Sequence, residues 1–300
     1  LPAKYSEAGG LKWSPAFFGA SDFSSETADP LGKNKPNNKM KTKHTVAVLS
    51  VALLTTVATG FAADGQEEAW QFGVTVPLWA PQINGNATIN GVQRDVNISF
   101  DQLKDHLDAS FALGLEARKG KFGVYGDVGY LKFSGDGKSA SGAKADFGLK
   151  FVLADAGISY VLVKTDSDER PFLLEGTLGL RYWYTGTTLV IKDSGGNVLL
   201  NGSNYQNLED PMIGLRASQF FTSKFHLDLA GDIGGFGISD SQATLDWSAT
   251  GVLTYDFVKW FSLSAGYKAV GLDASKGSGA NKNGVNLIFN GALIAATFKF

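Results

Sequence analysis

Gly291-Ala-Leu-Ile-Ala-Ala-Thr-Phe-Lys-Phe300 decides how the rest of this chain is read. Counting back from Phe300, every second residue is apolar (Phe298, Ala296, Ile294, Ala292). The residues between, Lys299, Thr297, Ala295 and Gly291, are polar or small, with Leu293 the exception. Period two marks a strand with two unlike faces. An aromatic ring at the end of such a strand suits the closing strand of a transmembrane β-barrel, which meets the interface in an aromatic girdle. Alone, the stretch suits the last strand of a soluble sandwich equally well.

The same alternation recurs upstream. Trp70, Phe72, Val74, Val76 and Leu78 oppose Gln71, Gly73 and Thr75, and Phe111, Leu113 and Leu115 oppose Ala112, Gly114, Glu116 and Arg118. Phe122, Val124, Val128 and Tyr130 follow the tight turn at 119–121, with Tyr125 and Asp127 on their other face. A fourth strand carries Val152 to Leu162 in alternation, and its upstream part changes phase near Lys150, which predicts a β-bulge there. Further strands are read over 172–184, 212–221, 225–236, 243–257, 261–272 and 285–300. Connections after every second strand are short (119–121, 164–170, 222–223, 258–259), and the others are generally longer and rich in Gly, Asn, Ser and Asp. Short periplasmic turns and long outer loops are the barrel pattern. The expected fold is therefore all-β, a transmembrane antiparallel up-and-down barrel of about ten strands, with long outer loops, short periplasmic turns and both chain ends on the periplasmic side. Aromatic residues flank the short turns (Trp70, Phe122, Phe172, Phe225, Phe261; Tyr160, Phe221, Phe257, Phe300), where an inner girdle belongs. Tyr130, Tyr182, Tyr184, Trp247 and Tyr267 are the expected outer ring. A soluble calyx barrel, with the apolar face turned inward, is the competing architecture.

The 300 residues include 37 Gly and no Cys, which removes disulfides and thiolate metal sites. Three His make a His-rich metal site improbable, and a formal net charge of -2 gives no basic field for nucleic acid. No metal, cofactor or nucleic-acid partner is expected. Residues 1–39 have no sustained period and read as an upstream leader outside the mature protein. From Met40 a short basic start, an apolar run over 45–59 and the small-residue exit Gly60-Phe-Ala62 read as a signal peptide over 40–62, leaving 63–300 as the barrel domain. An N-terminal membrane anchor is the alternative for that run.

Ten strands enclose a narrow interior, so inward charges are expected to pair rather than line a wide channel. The expected lumenal charge network contains Arg181, Arg216, Asp232, Asp228, Glu175, Asp246, Asp127 and Lys268, with Arg181, Arg216 and Asp232 converging at mid-barrel. Phe298 and Phe300 are expected to serve barrel closure and insertion, Phe300 more than the inward Lys299. Asn90-Gly91 is a hairpin signal, and Ser99-Phe-Asp-Gln102 a capping box leading a short mouth helix with Phe100, Leu103 and Leu107 on one side. The glycine-rich run 231–237 lies on an alternating strand with no following Lys-Ser/Thr, so it is no phosphate loop. His226-Leu-Asp228 places a base and a carboxylate on one face, the feature behind a barrel-embedded hydrolase reading.

Gly231-Asp-Ile-Gly-Gly-Phe-Gly237, Trp247, Tyr255, Gly266-Tyr267 and Asp273 resemble marks of a family of porin-like outer-membrane barrels of Gram-negative bacteria. Trp79-Ala-Pro81, Ser99-Phe100 with Leu103 and Leu107-Asp108, Gly179-Leu-Arg-Tyr-Trp183 and Asp210-Pro-Met-Ile-Gly-Leu-Arg216 are similar to the same family's other marks, and only Val76-Pro77-Leu78 departs from its pattern. The resemblance implies an outer-membrane location and brings no activity with it. The resulting expectation is a porin-like or structural envelope protein, not an enzyme, whose partners are outer-membrane lipid, the barrel-assembly machinery and small solutes. A hydrolase, and a surface adhesion or binding module working through the outer loops, are the readings from other classes.

Overall fold

The computed structural model describes residues 69–89, 91–138, 144–165, 170–239 and 242–300. The segments read as leader (1–39) and signal peptide (40–62) lie outside the described residues. Strands run β1 (Gln71–Ile89), β2 (Val92–Ile98), β3 (Leu107–Lys119), β4 (Phe122–Lys138), β5 (Lys144–Lys164) and β6 (Phe172–Lys192). They continue as β7 (Val198–Phe220), β8 (Phe225–Gly235), β9 (Leu245–Val258), β10 (Phe261–Lys276) and β11 (Asn283–Lys299), and one helix, α1 (Phe100–Asp105), precedes β3. All pairings are antiparallel between sequence neighbours, except that β1 skips to β3 and β11 returns to β1. The sheet is thereby closed. Ten strands, β1 and β3 to β11, form the ring, and β2 pairs only with the outer part of β1.

Closure is made by the terminal stretch 291–300, which pairs with β1. Phe298 pairs with Val74 and Ala292 with Ala80, and Phe300 N–H donates to Phe72 O at 2.8 Å while Phe72 N–H donates back to Phe300 O at 3.0 Å. Around this end the rings form a belt. Trp70 stacks on Phe72, Phe221 meets Phe225, and Phe257, Phe261, Phe298 and Trp260 touch in series. Trp260, in the turn after β9, belongs to this belt and escapes a strand-based reading.

Along each long strand the apolar side chains change sides. On β4, Phe122, Val124, Val128 and Tyr130 point outward, whereas Leu131 and Phe133 point inward and are buried. On β5 the outward set ends at Val152, and Phe151 and Leu153 are inward; on β6, Leu178, Leu180 and Tyr182 face out and Trp183 faces in. Below the switch the interior is polar and the exterior apolar. Above it the interior is apolar, and exposed Gln82, Ser134 and Thr188 lie outside. Strand alternation cannot change parity without a bulge, and none occurs on β5 near Lys150. The register there is unbroken, and the shift on β5 lies at Val161/Val163 beside the turn. The bulge expected near Lys150 is therefore replaced by a change in what surrounds the wall. Lipid outside demands an apolar exterior, and water outside demands an apolar core within. From Phe122 to Tyr130 and from Val152 to Tyr160 the apolar exterior spans about nine residues, the length of a tilted transmembrane strand.

The outer connections also need correction. What reads as long polar loop between β6 and β7 is mostly strand, since only residues 193–197 separate 21-residue β6 from 23-residue β7. The residues there pair as ladder, with one register shift at Ile191/Lys192. The helix ends at Asp105, so Leu107 opens β3 rather than extending the helical face; the Ser99–Gln102 capping box is present.

The inversion predicts a position-dependent response on one face of one strand. Leu180→Lys, within the apolar belt, should destabilise the barrel by roughly 2–4 kcal/mol, whereas Thr188→Lys, eight residues further out on the same face, should cost about 0–1. Denaturant titration of both variants in liposomes checks this, and equal costs would place the lipid boundary elsewhere.

Candidate functional site

The lumen is the place where chemistry-bearing side chains gather, and it is layered. In the middle, β5, β6, β8 and β9 aim Asp155, Arg181, Asp232 and Asp246 at one another. Arg181 is 1% exposed, and its Nε–H and Nη2–H donate to the two oxygens of Asp155, both at 2.9 Å. Its Nη1–H donates to Asp246 Oδ1 at 2.8 Å, and Asp232 lies 3.2 Å away. Trp183 Nε1–H donates to the other Asp246 oxygen at 2.6 Å, and Ser248 Oγ–H donates to Asp232. A planar guanidinium, with five N–H donors in a fixed fork, can hold one carboxylate bidentately and still reach others, a geometry that the three rotatable donors of an ammonium do not supply.

A second ionic group lies beside it on β3, β6 and β7. Arg118 contacts Glu175 at 2.6 Å and Glu116 at 3.1 Å, and Arg216 approaches Glu116 at 3.7 Å. The Arg216 guanidinium stacks on the Tyr125 ring, 4.1 Å from its centroid. Inward glycines make room for that ring: a Cβ on Gly157 or Gly179 would fall 2.5 or 2.7 Å from the Tyr125 hydroxyl. Between the two groups a cavity of about 10 Å³, lined by Tyr125, Asp155, Thr177, Arg216 and Asp232, has the room of a single water molecule.

Near the aromatic belt a third group forms on β7, β8 and β9. Asp228 accepts hydrogen bonds from Ser218 and Thr254, both at 2.7 Å, and lies 3.2 Å from His226 Nε2. His226 is fully buried under Phe220, and its Nδ1 lies 3.6 Å from Asp256, which pairs with Lys299 at 2.8 Å.

Above these layers sits an apolar plug. Trp79, Phe133, Phe151, Leu153, Trp183, Leu208, Leu272, Phe289 and Leu293 pack together, with Phe100, Leu103 and Leu107 resting against them from the mouth side. Phe151 meets Trp183 edge-on at 5.4 Å and Phe289 at 5.9 Å, and Trp79 Nε1–H donates to Gly291 O at 3.1 Å.

Of the expected network, the structure brings Arg181, Asp232 and Asp246 into contact. Arg216 and Glu175 belong to the Arg118 group, and Asp228 to the His226 group. Arg216 turns to Glu116 and Tyr125 rather than to Asp232. Lys268 and Asp127 are buried on the same inner face, Lys268 with its ammonium 5.9 Å from the Trp79 ring centre, and neither forms an ion pair among the described residues. Asp155, the bidentate partner of Arg181, is the member that a sequence reading leaves out, although its parity with Gly157 and Ser159 places it on the inward face. The aromatic plug as a unit is missed: parity puts Trp183 and Leu293 on the inward face, but Trp79, Phe133, Phe151, Leu208 and Phe289 carry no inward assignment, so nothing in the pattern gathers them.

No family model matches the chain, and no curated protein matches it. Among solved structures it is similar to the outer membrane protease OmpT from Escherichia coli, at 9% identity and TM-score 0.45 over 77% of this chain and 96% of that one. The translocator domain of the autotransporter NalP from Neisseria meningitidis is similar at 14% identity and TM-score 0.33, over 81% and 92%. Ail, the attachment invasion locus protein of Yersinia pestis, gives 11% identity and TM-score 0.30, over 77% and 99%.

Proposed function

We propose that this chain is an outer-membrane barrel with a closed lumen, a structural envelope protein that holds a stiff sheet above the lipid rather than a conducting porin. The observation carrying this reading is the filled interior: ion-paired layers in the lipid-spanning part and an aromatic plug above them. Charges that are hydrogen-bonded to one another and shielded from water do not serve as a hydrated path, and removing any of them leaves a partner uncompensated. The apolar belt supports the bilayer location, and lipid and the barrel-assembly machinery are the partners this location requires. A hydrolase centred on His226 finds less support. Ser218 and Thr254 both bond to Asp228 instead of His226, so no nucleophile–base pair is formed, and the histidine is sealed.

Planar-bilayer recording of the refolded barrel tests the proposal. Wild type should insert without discrete current steps of porin size, and so should a variant lacking residues 100–106, because the plug lies beneath the mouth helix. Large, stable steps from wild-type protein would reverse the conclusion.

A further inference from the structure

The outer half of the sheet ends in unpaired edges, and they differ in chemistry. Strand β7 pairs with β8 only from Met212↔Gly234 down to Phe220↔His226, while on its other side it stays paired with β6 out to Val198. The connection after β8 reaches back as far as Asp210, whose Oδ1 accepts from Ala243 N–H at 2.8 Å. Beyond that point, residues 198–209 of β7 have no neighbour on this side among the described residues. The position that a continuing β8 would occupy is open for a dozen residues.

Natural sheets protect such edges with charge or proline. The edge of β2 carries Arg94 and Asp95, and the outer end of β4 carries Asp136 and Lys138. Residues 198–208, Val-Leu-Leu-Asn-Gly-Ser-Asn-Tyr-Gln-Asn-Leu, contain no Asp, Glu, Lys, Arg or Pro, and the one charge of the open stretch, Glu209, stands at its inner end. Val198, Leu199 and Tyr205 are 57%, 64% and 73% exposed there. A row of backbone N–H and C=O groups in strand geometry is specific for one class of ligand, another extended polypeptide backbone.

We propose that the outer edge of β7, residues 198–209, is a strand-addition site that takes an uncharged extended peptide segment of another protein, antiparallel to β7 and in line with β8. The existing β7–β8 ladder supplies the continuity, since an added strand extends the same register outward from Gly234. Backbone hydrogen bonds give the affinity. Selectivity follows from alternation, with the peptide's apolar side chains turned toward the side of buried Leu208 and its polar ones toward water. The site goes beyond the closed-lumen reading and does not depend on it, because the edge is there whether or not the barrel conducts.

The probe is a fluorescein-labelled, C-terminally amidated synthetic peptide TGTTLVI, the sequence of residues 185–191, which β7 already pairs antiparallel on its other side. Titrating refolded barrel in detergent into this peptide should give saturable anisotropy, and hydrogen exchange of amides within 198–209 should slow. Tyr205→Lys, which puts a charge on the edge without touching the β6 ladder, should weaken binding at least ten-fold while heat-modifiable gel mobility stays that of the folded barrel. A peptide N-methylated at alternate residues should not bind. Absence of saturable binding to folded wild type, equal binding of the N-methylated peptide, or protection confined to β2 or β4 would each overturn the site.

Discussion

Arg181→Ala should destabilise the barrel by roughly 3–5 kcal/mol, measured by denaturant unfolding in micelles, because it strands buried carboxylates without their cation. Asp155 loses both halves of a bidentate pair, Asp246 loses its 2.8 Å bond, and Asp232 loses a contact at 3.2 Å. Arg181→Lys should restore only part of the loss, since the three donors of an ammonium cannot reproduce a bidentate pair together with contacts to two further carboxylates. Adding Asp155→Asn to Arg181→Ala should recover stability, because it removes one of the uncompensated charges. Arg216→Ala should cost less, as its ion pair with Glu116 is long at 3.7 Å and the remainder is stacking on Tyr125. A loss below about 1 kcal/mol for Arg181→Ala is the range of exposed pairs. It would mean that water reaches the lumen and that the layer is no seal.

Which parts of this molecule can be read from sequence follows from what its surroundings impose. Between the aromatic belt and the outer tyrosines lipid lies on one side, so hydrophobicity reports direction: Phe122, Val124 and Val128 face out and Asp127 faces in, as alternation predicts. Beyond Tyr130 the same rule reverses, because water replaces lipid outside and the apolar side becomes the inner one. Leu131 and Phe151 then look like errors of phase, and a reader who keeps lipid outside must insert a bulge to repair them. The switch itself was present in the sequence as the adjacent apolar pairs Tyr130-Leu131, Phe151-Val152 and Tyr182-Trp183. Each pair has one ring or branched chain for the lipid and the next for the core.

Side chain partners were less legible than sides. Parity places Arg181, Arg216 and Asp232 in the lumen, but parity says nothing of how far strands are sheared past one another. The observed ladder sets Arg181 opposite Asp155 and Asp210, and Glu175 opposite Arg216. Long side chains then choose among several partners within reach. Arg216 lies opposite Glu175 in the register, yet reaches Glu116 and Tyr125, a choice governed by the space that Gly157 and Gly179 leave for the Tyr125 ring.

Trp183 joins the two seals, and its substitutions should separate them. Its ring packs with Phe151 and Phe289 in the plug, and its Nε1–H holds Asp246, the carboxylate that also binds Arg181. Trp183→Phe keeps most of the packing and removes only the donor, so the expected loss is about 1–3 kcal/mol, that of a buried acceptor left short of a partner. Trp183→Ala removes the ring as well and should lose a further increment, reaching at least the 3–5 kcal/mol typical of a large aromatic cut from a core. In a double-mutant cycle, Trp183→Phe and Asp246→Asn should couple by roughly 0.5–3 kcal/mol, whereas Trp183→Phe and a distant belt substitution such as Phe225→Leu should add independently. Neither Trp183 variant should conduct, because the Arg181 and Arg118 layers still fill the barrel below. Equal stability of Trp183→Phe and wild type would show that the 2.6 Å contact does not tie the plug to the ionic layer. Current through Trp183→Ala alone would show that the plug is the only seal.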